Sequence, residues 1–149
     1  MNEIIEKKYS TFLQFKTTAD EAGLRRVMEC SVKIGKEYIE DESRIFDFVL
    51  CVDEVFTNCI FHAYNACVGE VSVRFMKNDK TIAAEIIDYG IGITEKYLKA
   101  IPNPEINLLS DSGRGLYLVK NLADSLFISR GKSYGTKVSF YFGRGDSRC

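Results

Sequence analysis

Asp53-Glu54-Val55-Phe56-Thr57-Asn58-Cys59-Ile60-Phe61-His62-Ala63-Tyr64 is the stretch from which the rest of this 149-residue chain is read. A carboxylate, a carboxamide and an imidazole follow one another at four-residue intervals inside an apolar pattern. Four residues advance an α-helix by slightly more than one turn, so Glu54, Asn58 and His62 share one polar stripe. Asp53 lies about 100° round the helix from that stripe and reads as a solvated or capping carboxylate. Ile45, Phe48, Val49, Val52, Val55, Phe56, Cys59 and Ile60 recur at helical spacing. They predict a helix from Asp41 or Ser43 to about Tyr64.

Outward from this helix, Leu24, Val27, Met28, Ser31, Val32, Ile34, Tyr38 and Ile39 form the apolar side of a preceding one. Thr18 or Asp20 caps it, and it runs to about Glu40. Gly23 and Gly35 are expected to weaken it by up to about 1 kcal/mol each. Tyr9, Thr11, Leu13 and Phe15 alternate with polar neighbours and predict a strand over 8–17. Downstream, strand patterns over 70–76 and 81–87 flank Lys77-Asn78-Asp79-Lys80 and read as a hairpin. A short helix is expected over 94–100 and a loop holding both prolines over 101–112. A helix over 115–124 and strands over 125–129 and 136–142 follow, then a polar tail from 143 expected to be disordered. The order predicts one α+β domain over 1–149, a two-layer sandwich. Its sheet is mostly antiparallel and mixed, with the helices on one face.

Composition narrows the function classes. The chain is 46% hydrophobic and 28% charged with a net charge of -1, which argues against bulk capture of nucleic acid or an anionic membrane. No apolar run reaches membrane-spanning length, and residues 1–8 are charged rather than signal-like. The five cysteines, Cys30, Cys51, Cys59, Cys67 and Cys149, are odd in number and form no CxxC pair. They read as free thiols in a reducing cytoplasm, with Cys51 and Cys59 as core filler.

Three further pieces carry chemistry. Glu54 offers a proton acceptor, and Asn58 an amide oxygen suited to a hard cation. Asp88-Tyr89-Gly90-Ile91-Gly92 ends a strand in a glycine turn, where an Asp accepts well from an exocyclic amino group such as that of adenine. Alone, Asp-x-Gly is equally the mark of an ordinary turn. It is neither a Walker loop nor a Rossmann fingerprint. Ser112-Gly113-Arg114-Gly115 leads into a helix, whose N-terminal N–H groups favour an anion, although an ordinary helix start reads the same way.

Taken in order, Glu54-x-x-x-Asn58-x-x-x-His62-Ala63-Tyr64, Asp88-x-Gly90-x-Gly92, Gly113-x-Gly115-Leu116 and Gly135-Thr136 resemble the GHKL ATPase superfamily, with its Bergerat nucleotide fold. Within it, the His-Ala-Tyr ending and the small single domain look most like the bacterial anti-sigma-factor serine/threonine-protein kinases. The resemblance runs from about Tyr9 to Phe142. It implies ATP and Mg²⁺ as cofactors, Glu54 as general base and Asn58 as the Mg²⁺ ligand. It implies Asp88 at the adenine amino group with Thr136 beside it, Gly90 and Gly92 as the turn under the nucleotide, and Gly113, Arg114, Gly115 and Leu116 as the phosphate-facing end of the lid. His62 fits the family string and reads as a structural histidine.

Implied partners are a STAS-domain anti-anti-sigma protein, an RNA polymerase sigma factor and a second copy of the chain, with no direct nucleic acid and no membrane. Arg25 and Arg26 are the exposed partner-contact candidates. Ala100 to Gly113 holds no Lys or Arg, a departure that keeps two alternatives open. One is an ATP-dependent partner-binding module with weak catalysis. The other is a stand-alone histidine-kinase-like ATPase domain.

Overall fold

In the computed structural model, residues 8–64, 69–91, 111–130 and 135–145 are described, the side chains of residues 62 and 111–114 excepted. Strand β1 (Ser10–Thr18) leads into helix α1 (Glu21–Tyr38) and helix α2 (Glu42–Asn58), which continues as a π-helical turn, Cys59–Ala63. Strands β2 (Glu70–Lys77) and β3 (Thr81–Asp88) form the expected hairpin. Helix α3 (Asp111–Leu122), β4 (Ser125–Arg130) and β5 (Thr136–Gly143) complete the order. The sheet runs β1-β2-β3-β5-β4, and all four pairings are antiparallel.

Side-chain alternation decides which face is covered. Val71, Val73, Phe75, Ile82, Ala84, Ile86, Val138, Phe140 and Phe142 share one core with Val27, Ile34, Phe48, Val52, Val55 and Phe56 from the helices. Phe48 is its centre, with ring centroids 6.4, 5.9 and 5.5 Å from Phe75, Phe140 and Phe142. The residues of opposite parity form a separate small cluster, Met76, Ala83 and Tyr141 with Tyr9. There too lies the buried Glu85 carboxylate, 2.8 Å from Arg74 and 3.3 Å from Lys137.

Local chemistry sets the helix starts. The Asp20 carboxylate accepts from Gly23 N–H at 2.9 Å and caps α1, while Asp41 accepts from Ser43 N–H at 2.9 Å and caps α2. Gly23 and Gly35 serve contacts rather than merely weakening α1. A Cβ at Gly23 would lie 1.8 Å from the Thr18 carbonyl oxygen, and one at Gly35 3.0 Å from Ile45 Cγ2. β1 carries an irregularity between Thr11 and Leu13, so strict alternation holds only beyond it.

Two boundaries differ from expectation. Helix α3 begins at Asp111, four residues before the expected start, so the Ser112–Gly115 motif lies within its first turn. The tail was expected to be disordered from 143, yet it is held through residue 145. Gly143 pairs with Thr81. The Arg144 guanidinium donates to the carbonyls of Tyr38 (3.2 Å) and Asn78 (2.9 Å), and its N–H to Lys80 (2.7 Å). A long cation fills the gap between the end of α1 and the hairpin, a role that polarity alone does not disclose. The helix expected over 94–100, and residues 65–68, 92–110, 131–134 and 146–149, lie outside the described residues.

Candidate functional site

Glu54 and Asn58 are both half-buried, one turn apart on α2, and face the start of α3. A Cβ at Gly115 would stand 2.6 Å from Glu54 Oε2 and 3.8 Å from Asn58 Oδ1. The first turn of α3 therefore comes up against the Glu54 carboxylate, with Asn58 at ordinary contact distance, and a side chain at 115 would displace that carboxylate. Burial, with the neighbouring Asp53 carboxylate adding to it, raises the Glu54 pKa above the usual glutamate value. Such a carboxylate is a stronger proton acceptor than an exposed one. Asp53 itself accepts from the Thr57 hydroxyl at 3.1 Å, one turn along. That pairing keeps it off the Glu54–Asn58 side, as its angular position predicts.

Asn58 Nδ2 is buried without a hydrogen-bond partner. An orphaned amide in a half-buried position is costly unless a ligand completes it. Among the described residues no group of three or more His, Cys, Asp or Glu side chains could hold a metal. A lone amide oxygen suits Mg²⁺, which takes most of its shell from phosphate and water.

Asp88 closes the other end of the site. It is 6% exposed at the last position of β3, on the helix-covered parity. Its carboxylate accepts from Gly90 N–H at 3.1 Å and from the Thr136 N–H, and Cys59 Sγ approaches Oδ2 at 3.9 Å. Burial raises the Asp88 pKa despite these two N–H groups, so the charged form lacks full compensation. Burial and Asp88 together push the Cys59 thiol well above its usual range. Cys59 follows Asn58 directly, so consecutive positions at the end of α2 place the orphaned amide and the thiol that meets the Asp88 carboxylate from β3. Thr136 pairs with Asp88 in the sheet and is buried.

The π-helical turn brings the chain back onto this floor. Tyr64 N–H bonds the Cys59 carbonyl at 3.3 Å, an i to i+5 closure. The Ala63 carbonyl accepts from Ile91 N–H at 3.1 Å. A Cβ at Gly90 would lie 2.1 Å from that carbonyl oxygen, so the Asp88–Gly90 turn passes directly under the helix end.

Of the sequence-predicted residues, the structure gathers Glu54, Asn58 and Gly115, and separately Asp88, Gly90 and Thr136, around the end of α2. Leu116 is packed into the core. Gly113 and Arg114 lie in the first turn of α3, and the Arg114 and His62 side chains, with Gly92 and most of the lid, are outside the described residues. Arg25 and Arg26 are exposed on α1. Arg25 is 3.4 Å from Glu21, and Arg26 lies over the Phe15 ring at 4.7 Å.

Sequence reasoning left Gly135 without a role and gave no sign that Cys59, core filler as expected, also reaches the Asp88 carboxylate. Gly135 has φ +98° and a Cβ there would meet the Asp88 carbonyl oxygen at 2.2 Å. Position offers the one sequence signal for each, since both adjoin a motif residue.

Comparisons with known proteins identify the family and the fold. A family model described as histidine kinase-like ATPase domain matches residues 17–142. The serine-protein kinase RsbW of Bacillus licheniformis is 30% identical over 131 residues, covering 82% of this chain and 80% of that protein. The anti-sigma F factor of Clostridium acetobutylicum is 27% identical over 128 residues, covering 85% and 87%. In the crystal structure of the SiaB–SiaC complex from Pseudomonas aeruginosa, one chain superposes with a TM-score of 0.64. It is 11% identical, with 95% of this chain and 94% of that chain covered, a likeness of fold.

Proposed function

The chain belongs to the histidine kinase-like ATPase domain family, and on that premise we propose that it is an ATP-dependent serine/threonine-protein kinase and anti-sigma factor of a partner-switching system. Its phosphate acceptor is a STAS-type anti-anti-sigma protein, and the second protein it holds is an RNA polymerase sigma factor. The names of its relatives, a serine-protein kinase and an anti-sigma F factor, support both halves of this reading.

The observation that carries it is the Glu54 carboxylate, the orphaned Asn58 amide and the bare Gly115 backbone meeting at one point. Asp88 accepts the adenine amino group, with Thr136 beside it, and Gly90 and Gly92 let the base lie close to the backbone. The N–H groups at the start of α3, around Gly113 to Gly115, face the phosphates. Asn58 Oδ1 is the protein's ligand for Mg²⁺, which supplies charge compensation on the phosphates when bound. Glu54 takes the proton of the attacking serine or threonine hydroxyl, and the oxygen so freed accepts the γ-phosphoryl group as ADP leaves.

Arg25 and Arg26 offer cations to the protein partners. Edge strand β1 is the surface on which two copies pair. No helix among the described residues is long and apolar enough to cross a membrane, which suits a partner-switching role in the cytoplasm.

The test is Mg²⁺-dependent transfer from γ-labelled ATP to a STAS protein encoded beside this chain. Transfer is expected with the native chain and lost in Glu54→Ala. Undiminished transfer by that variant refutes the role of Glu54. Tight ATP binding by calorimetry with no phosphorylated product would instead favour the binding-module reading, which the cation-free stretch from Ala100 to Gly113 supports.

A further inference from the structure

Tyr64 ends the motif helix, and nothing in the chemistry above uses it. Its hydroxyl donates to the Glu70 carbonyl at 2.5 Å and accepts from Tyr89 N–H at 2.7 Å. Those two backbone groups are not arbitrary. Val71 pairs with Asp88 in the β2–β3 ladder, so Glu70 and Tyr89 are the next residues in register. The phenol oxygen therefore stands between two strands where the ladder would otherwise continue.

The ring is seated as firmly as the hydroxyl. A Cβ at Gly69 would meet three Tyr64 ring atoms at 2.3–2.4 Å, so the ring lies flat against a bare backbone. The Tyr89 side chain turns away, its hydroxyl 2.7 Å from Ser72 Oγ. Held apart from β2, the chain beyond Asp88 bends under the helix end instead, where Ile91 N–H reaches the Ala63 carbonyl at 3.1 Å. Gly90 N–H in turn supports the Asp88 carboxylate at 3.1 Å.

We propose that Tyr64 is a positioning residue for nucleotide binding: its hydroxyl wedges β3 away from β2 and so aims the Asp88–Gly90 turn at the purine. The proposal rests on the ATP site described above. Without the hydroxyl, Tyr89 N–H is free to bond the Glu70 carbonyl directly. One more rung then zips, and the turn lifts off Ala63. Glu54 and Asn58, on α2, are untouched by this movement, so binding and chemistry separate.

Tyr64→Phe keeps the ring on Gly69 and removes only the oxygen. ATP affinity, by calorimetry, is expected to fall about tenfold, the scale of one hydrogen bond to a turn. The rate of phosphate transfer at saturating ATP is expected to stay within about twofold of native, with the loss confined to KM. In the nucleotide-free protein, amide hydrogen exchange at Ile91 is expected to quicken while exchange in α2 is unchanged. Unchanged affinity with unchanged Ile91 exchange overturns the proposal. So does an equal fall in kcat with faster exchange throughout, which marks a merely structural residue. The exchange measurement uses no nucleotide, so it judges the wedge even where the native chain fails to bind ATP and the reading of the site itself fails.

Discussion

Gly115→Ala separates the stability of this protein from its chemistry. The added methyl would sit 2.6 Å from Glu54 Oε2, 3.7 Å from Glu54 Cδ and 3.8 Å from Asn58 Oδ1. Ordinary contact needs roughly 3.5 Å, so the Glu54 carboxylate must retreat by about 1 Å. It is the free end of a flexible side chain, so the retreat is inexpensive for the fold. Replacing glycine by alanine inside a helix gains up to about 1 kcal/mol, which for a chain of this size raises Tm by about 3 °C. A general base displaced by about 1 Å, in contrast, costs on the order of 100-fold in rate. The expected outcome is a Tm equal to native or slightly higher, and phosphate transfer to the STAS acceptor reduced between about 10- and 100-fold. Melting by circular dichroism and transfer from γ-labelled ATP, run on the same preparations, read both quantities. Native transfer rates in a folded Gly115→Ala variant would refute the reasoning, because Glu54 would then be free to act from elsewhere.

Three other substitutions test separate parts of the account. Glu54→Gln is expected to stabilise the nucleotide-free protein at pH 7. The raised Glu54 pKa favours the neutral form in the fold, so that contribution is present at low pH and lost as pH rises through the folded pKa. Melts at pH 7 and pH 4 should show the variant's advantage only at the higher pH; an advantage independent of pH argues against burial as the cause. Burial also raises the Asp88 pKa, and the proposed adenine contact needs its carboxylate. ATP affinity of the native chain should therefore hold above that pKa and decline as pH falls through it, while Asp88→Asn binds weakly at every pH. Identical calorimetric profiles for the two would remove Asp88 from the adenine site. Gly23→Ala places a methyl 1.8 Å from the Thr18 carbonyl oxygen, a backbone atom with nowhere to retreat. It should lose more than about 2 kcal/mol in urea unfolding despite alanine's better helix propensity, and a gain in stability would contradict the packing of α1 on β1.

Much of this protein is legible in its sequence alone. Periodicity alone marks the five strands and three main helices, because one covered sheet face imposes alternation and a helix packed on it imposes its own repeat. The spacing of Glu54 and Asn58 places them on one side of α2, and the Asp88 turn announces itself by its glycines. The start of α3 was not legible, since two glycines in Ser112-Gly113-Arg114-Gly115 argue against helix when propensity is the measure. A side chain at Gly115 would meet the Glu54 carboxylate, a contact with a different element that helix propensity does not register.

Cys59, Tyr64 and Arg144 show the same limit. Cys59 reads as core filler, which its burial bears out, while the polar contact it makes, like those of Tyr64 and Arg144, has no sequence signature. Each contact is made with a backbone group or carboxylate of another element, namely Asp88, Glu70 with Tyr89, and Tyr38 with Asn78. Periodicity reports which way a side chain faces, and that depends on neighbours three or four residues away. What the side chain meets there is decided by how the layers stack, and only the folded chain holds that information.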